Sequence, residues 1–217
     1  MRAKSKLLAL ALTAALQPAF AGMVSLDFED TTGYGQVGNR YDSLGVNFTG
    51  SAWAVTSALN SCNGIWLFSK AGSCGALLLG DPTLTATSGP ISFTIDVAAG
   101  FINEFDFVYG IRAGSDVIIQ VFDGAGGTGN TLKIQQGLIG GGCGIARVRF
   151  CEWSNGIVKF DGTARSLTIT GIDQRLMLDD MKFTTPAAGT PLPEPGSIAL
   201  ALGALGALGW TRKRAAR

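Results

Sequence analysis

Between residues 22 and 184, apolar side chains recur at every second position, in short runs cut by Gly, Asp, Asn and Pro. The runs are VSLDF, GVNFTGSAWAV, ISFTIDV, FINEFDFVYG, DVIIQVF, IARVRF, IVKF, SLTIT and, last, LMLDDMKFT. A period of two puts one set of side chains on one face of a strand, so each run can bury only one face. No long stretch of this region has helical spacing. Many short half-buried strands with turn residues between them predict an all-β fold, an antiparallel β-sandwich of the jelly-roll kind.

The two ends follow different rules. Arg2, Lys4 and Lys6 precede an apolar run from Leu7 to Leu16, followed by Ala19-Phe20-Ala21. Cations, apolar run and small-x-small site in that order predict a signal peptide over residues 1–21, delivered to the Sec export machinery. Residues 22–184 form the β-sandwich domain. Residues 185–192, rich in Pro, Ala and Thr, read as a linker.

Residues 193–217 form a third pattern. Pro193-Glu194-Pro195 is extended and poor in backbone donors, hence open to an enzyme. Residues 196–210 carry no charge and would span about 22 Å as a helix, against a hydrocarbon core of ~30 Å. Arg212, Lys213 and Arg214 follow and would stay cytoplasmic. A plain C-terminal anchor, or a dimerising helix using Gly203, Gly206 and Gly209, fits the same apolar run. Leu192–Gly196 comes close to the sortase signal LPxTG, but Pro195 stands at the threonine whose bond a sortase cleaves. The whole tail resembles the PEP-CTERM sorting signal of exopolysaccharide-producing Gram-negative bacteria. The resemblance rests on Pro193, Glu194 and Pro195, the apolar run as a transmembrane sorting helix, and the basic Arg212-Lys213-Arg214. It implies processing by an exosortase-type membrane enzyme, transient anchoring, and a final place at the cell surface or outside the cell. It also implies a non-enzymatic matrix or biofilm role beside exopolysaccharide.

Charge separates the body from its ends. Of 17 Lys+Arg, seven lie in the signal and tail; of 16 Asp+Glu, only Glu194 does. The body is therefore net acidic, which disfavours nucleic acid and suits divalent cations. The chain contains no His, so the commonest general base and transition-metal ligand are missing. Cys62, Cys74, Cys143 and Cys151 form no CxxC pair, and an even count in an exported chain favours disulfides. Four cysteines allow three pairings; the favoured one is Cys62–Cys74 with Cys143–Cys151, each closing a loop of about ten residues.

Several stretches look chemical and have plainer readings. Gly124–Thr131 nearly spells a phosphate-binding loop, but Asn130 replaces the essential Lys, and Leu132 and Ile134 announce a strand rather than a helix. A Gly-rich hairpin is the better description. Asp27, Glu29, Asp106, Asp116 and Asp161 could supply a glycosidase's two carboxylates, yet no spacing selects a pair. The domain is read as no enzyme. Trp53, Trp66 and Trp153 could stack on sugar rings or fill the core. Asn47-Phe48-Thr49 falls within a strand.

The body carries a second resemblance, in LDFEDTTGYGQVGNRYDSLGVNFTG, FDGAGGTGNTL and LMLDDMKFT. These are similar to the opening, central hairpin and closing strand of exported β-sandwich domains, including many carbohydrate-binding modules. The resemblance implies carbohydrate binding as the alternative function. It also points to a structural Ca²⁺ between opening and closing strands, held by Glu29 or Asp30 with Asp179 or Asp180. Asp179 is in phase with Met181 and Phe183 and is expected to face inward. The competing expectation is that Asp179 accepts backbone N–H bonds without a metal.

Overall fold

In a computed structural model the described residues are 22–56, 74–112, 114–140, 150 and 153–186. The body, Ala21–Pro186, is one of two compact units; the residues of the other lie outside the described set. Among the described residues there are ten strands, one short 3-10 turn (Asp42–Leu44) and no α-helix. The strands are β1 (Met23–Leu26), β2 (Gly35–Gln36), β3 (Val46–Gly50), β4 (Ala52–Thr56) and β5 (Gly75–Leu79). They continue with β6 (Pro90–Ile111), β7 (Val117–Phe122), β8 (Thr131–Gln136), β9 (Ser154–Ile172) and β10 (Leu176–Thr184).

All pairings are antiparallel, in the order β2-β4-β5-β10-β6-β9-β7-β8, with β1 on β10 and β3 on β6. β6 has 22 residues and β9 has 19, and each serves both layers. Residues 90–96 of β6 pair with 166–172 of β9, and residues 104–109 pair with 154–159, with register breaks between Asp96 and Phe101. Gly100 takes φ +72 at that break, and a Cβ there would stand 2.9 Å from the Ala164 carbonyl oxygen. Glycine is therefore what lets the strand turn so close to its partner.

The two halves of this bent array bury their inner faces in one cluster. Phe93, Ile95, Ile119 and Ile169 come from one half, and Phe105, Phe107, Leu178 and Phe183 from the other. Each such side chain contributes about 1.5–3 kcal/mol relative to exposure. A β-sandwich-like body results, as the alternation predicts.

Three details depart from the sequence reading. GALLL, which is not among the runs named above, is β5, buried at every position. GVNFTGSAWAV is two strands: β3 joins β6 and β4 joins β5, with the chain turning at Gly50 (φ +82). ISFTIDV with FINEFDFVYG, and IVKF with SLTIT, are single strands rather than pairs. IARVRF lies outside the described residues except Phe150, which bridges to Arg112.

The Gly-rich stretch is the β7–β8 hairpin loop. Asn130 donates its backbone N–H and its side-chain amide to the Asp123 carboxylate, at 2.7 and 2.8 Å. The Asn130 side-chain bond, then its backbone bond, holds the Asp123 carboxyl below the usual range. Gly126 N–H donates to Asp96 and Gly127 N–H to Ser166, at 2.5 and 3.0 Å. These two loop amides are thus spent on β6 and β9.

Candidate functional site

In an alternating strand the face turned from the core should be polar, and on one layer it is not. Leu77 and Leu79 enter the main core, while Ala76 and Leu78 point the other way. Val55, Ala76, Leu78 and Met177 form a second buried apolar cluster, against which Phe150 and Trp153 pack. Register aligns a row across four strands: Trp53 opposite Leu78, Leu78 opposite Met177, Met177 opposite Gly110. Gly110 lies beneath the aromatic pair: a Cβ there would be 3.8 Å from Phe150 and from Trp153.

A cleft of about 270 Å³ opens on this face. Val55, Leu78 and Met177 line it together with Tyr34, Pro82 and Gln174. Arg112 and Phe150 complete the lining, the guanidinium carbon 4.9 Å from the Phe150 ring centroid, a cation–π contact. Tyr34 is 51% exposed.

The rim is fixed by hydrogen bonds. Gln174, at φ +55, donates its side-chain amide to the Asp81 and Leu84 carbonyls at 2.6 and 2.9 Å. Asp173 accepts the Thr87 N–H at 2.8 Å, and its other oxygen packs where a Gly80 Cβ would stand. Residues 81–87 are thereby clasped to the turn between β9 and β10.

Arg112 is the charged group of this cleft. Its backbone N–H donates to the Arg175 carbonyl at 3.0 Å. Its Nε is buried and, among the described residues, has no hydrogen-bond partner. Burial first, and Arg175 second, pull its pKa below the ordinary arginine value.

The residues singled out by sequence fall in several places. β1 does lie beside β10, with Met23 opposite Thr184 and Leu26 opposite Met181. Glu29 accepts N–H bonds from Cys74 at 2.9 Å and from Gly75 at 3.5 Å. Asp30 accepts the Tyr41 hydroxyl at 2.8 Å and stands 3.8 Å from Arg40. Burial first, then Asp30, pushes the Tyr41 phenol far above its ordinary value, so it stays protonated. Asp179 is buried, but its phase differs from the expectation. A bulge between Asp179 and Lys182, with Asp180 at φ +45, separates Leu176 and Leu178 from Met181 and Phe183. Asp179 therefore points with Met177, away from the main core, and accepts the Asp180 N–H at 2.8 Å. Among the described residues no three carboxylates or thiols converge as metal ligands.

Cys74 is disulfide-bonded, to a residue outside the described set. Cys62, Cys143 and Cys151 also lie outside it, as do Trp66, Pro193, Glu194, Pro195, Arg212, Lys213 and Arg214. Asp27, Asp106, Asp116 and Asp161 occupy separate segments, and none lines the cleft. Trp53 and Trp153, the stacking candidates within the described set, both stand on the face that carries it. Tyr34, Arg112 and Phe150 were missed; Arg112 and Phe150 are far apart in sequence and meet only through an isolated bridge.

No family model matches the chain, and no curated protein does. Several solved structures are similar to it. The K2 cleaved adhesin domain of Lys-gingipain is 12% identical, with 76% of this chain and 100% of that one covered, at TM-score 0.50. The K1 cleaved adhesin domain of Lys-gingipain from Porphyromonas gingivalis W83 is 12% identical, covering 76% and 99%, at 0.42. A family 29 carbohydrate-binding module from Piromyces equi is 8% identical, covering 80% and 97%, at 0.39. At such identity the likeness to the K2 domain is one of fold alone.

Proposed function

We propose that the body is a non-catalytic binding domain that takes carbohydrate in the cleft between Tyr34, Arg112 and Phe150. We further propose that the protein is exported and sorted to the cell surface or matrix by its PEP-CTERM-like tail. The observation that carries the first reading is the apolar, aromatic stripe on the outer face of β4, β5, β10 and β6. A strand face turned from the core is normally polar, and a cleft with an apolar floor and a few polar groups at its rim marks a binding surface. Aromatic rings there offer an apolar face to the C–H side of a sugar ring, and Arg112 supplies donors for hydroxyls. Among the described residues the cleft lining holds no carboxylate, so acid–base hydrolysis finds no pair there.

Titration calorimetry of the full chain against a panel of soluble polysaccharides tests this. Tyr34→Ala should lower affinity by about tenfold or more, the usual cost of removing an aromatic anchor. Unchanged affinity with unchanged circular dichroism would remove the cleft from the reading.

The tail is supported by its order of parts: Pro193-Glu194-Pro195, apolar run, basic cluster. Replacing Glu194 and Pro195 with alanine should leave full-length, membrane-held protein in an exosortase-bearing host. Intact-mass spectra with the same mature C-terminus for wild type and variant would refute exosortase processing.

A further inference from the structure

From the charge at the end of the cleft we infer that the sugar it takes is acidic: a uronate-containing polysaccharide whose carboxylate lies against Arg112 and Arg175. This rests on the carbohydrate reading above and names its substrate class.

The body has more acidic than basic residues, yet neither arginine has an acidic partner among the described residues. By contrast, Arg40 stands 3.8 Å from Asp30, and Lys159 stands 3.8 Å from Glu104. Arg112 is also part-buried on Phe150, with its Nε orphaned. Burying a guanidinium without a counter-charge is costly, and a bound carboxylate removes that cost with charge-assisted hydrogen bonds. The second cation, Arg175, adjoins Gln174 of the lining and holds the Arg112 backbone through its carbonyl. Two unneutralised positive charges beside an apolar, aromatic floor complement a ring that has an apolar face and an acidic substituent.

An acidic peptide shares the charge but fits less well. The floor belongs to β4, β5 and β10, strands already paired on both sides: β2 and β5 flank β4, β4 and β10 flank β5, and β5 and β6 flank β10. A peptide strand finds no free edge there to extend. What the surface offers is side chains, which suits stacking of rings.

The test uses the full chain and three probes: an oligogalacturonate, the same oligomer with its carboxyl groups reduced to alcohols, and a poly-glutamate peptide of similar length. Dissociation constants are measured at low and high salt. The uronate oligomer should bind about tenfold more tightly than its reduced form, as a charge-assisted contact requires. Salt should weaken the first and leave the second unchanged. Arg112→Gln should erase the difference between the acidic and the reduced oligomer, and Arg175→Gln should reduce it. The second variant and the wild-type salt series keep the test decisive if Arg112→Gln fails to fold. Equal affinity for acidic and reduced oligomers would overturn the acidic assignment and leave the carbohydrate reading standing. Binding of neither oligomer would overturn both. Poly-glutamate binding as tightly as the uronate would show a general carboxylate site and overturn the sugar assignment.

Discussion

Gly75→Ala should be among the most damaging single substitutions in the body, lowering stability by about 4 kcal/mol or more. The added Cβ would overlap the Phe28 carbonyl oxygen and lie 2.6 Å from the Phe28 carbonyl carbon. Both are backbone atoms, so no rotamer change relieves the clash. Phe28 cannot simply move aside. It turns the chain at φ +54, and its fully buried ring sits 5.5 Å from Tyr41 and 6.4 Å from Phe48. The Gly75 N–H is tied to Glu29 on the other side of that turn. In a domain of this size each kcal/mol shifts the melting temperature by about 2–4 °C, so a fall of about 10 °C or more is expected by circular dichroism. A shift of about 2 °C would mean that the Phe28 turn relaxes freely.

Phe183→Ala should cost about 3–5 kcal/mol, the range for emptying a fully buried aromatic site. Phe183 is 0% exposed. It stacks on Phe105 with centroids 5.1 Å apart and meets Phe101 edge-on at 5.3 Å. Phe101 in turn meets Phe160 edge-on at 5.3 Å. These rings come from β10, β6 and β9, so the cavity opens at the junction of three strands and cannot collapse by moving one. Urea denaturation should show a lower midpoint with an unchanged slope. Phe183→Leu should lose markedly less, since most of the volume remains. Equal losses for Leu and Ala would show that ring geometry rather than filled volume is what matters.

The body's alternation was legible because each layer has one dry face. In β7, Val117, Ile119 and Val121 are buried while Ile118 and Gln120 are not, which is the pattern a period of two announces. β5 was illegible for the opposite reason. Its residues are dry on both faces, toward the main core and beneath the Phe150–Trp153 pair, so GALLL has no period to read. The Asp179 bulge was hidden because LMLDDMKFT alternates smoothly from Asp179 onward; only pairing with Val108 and Asp106 reveals the extra residue. The cleft was legible in part. Tryptophans draw the eye, but Arg112, Gln174 and Tyr34 are ordinary until the register of β4, β5, β10 and β6 brings their segments together.

β10 links the cleft to the end of the body. Met177 lies in the cleft floor, and the same strand runs to Thr184, two residues before Pro186. Along that length β10 is laddered to β6 on one side and to β5 and then β1 on the other. A tug between a bound polymer and the departing chain would run lengthwise through this strand. Its hydrogen bonds would then share the tension in parallel instead of parting one after another, which is how a mooring line made fast at many cleats resists a pull.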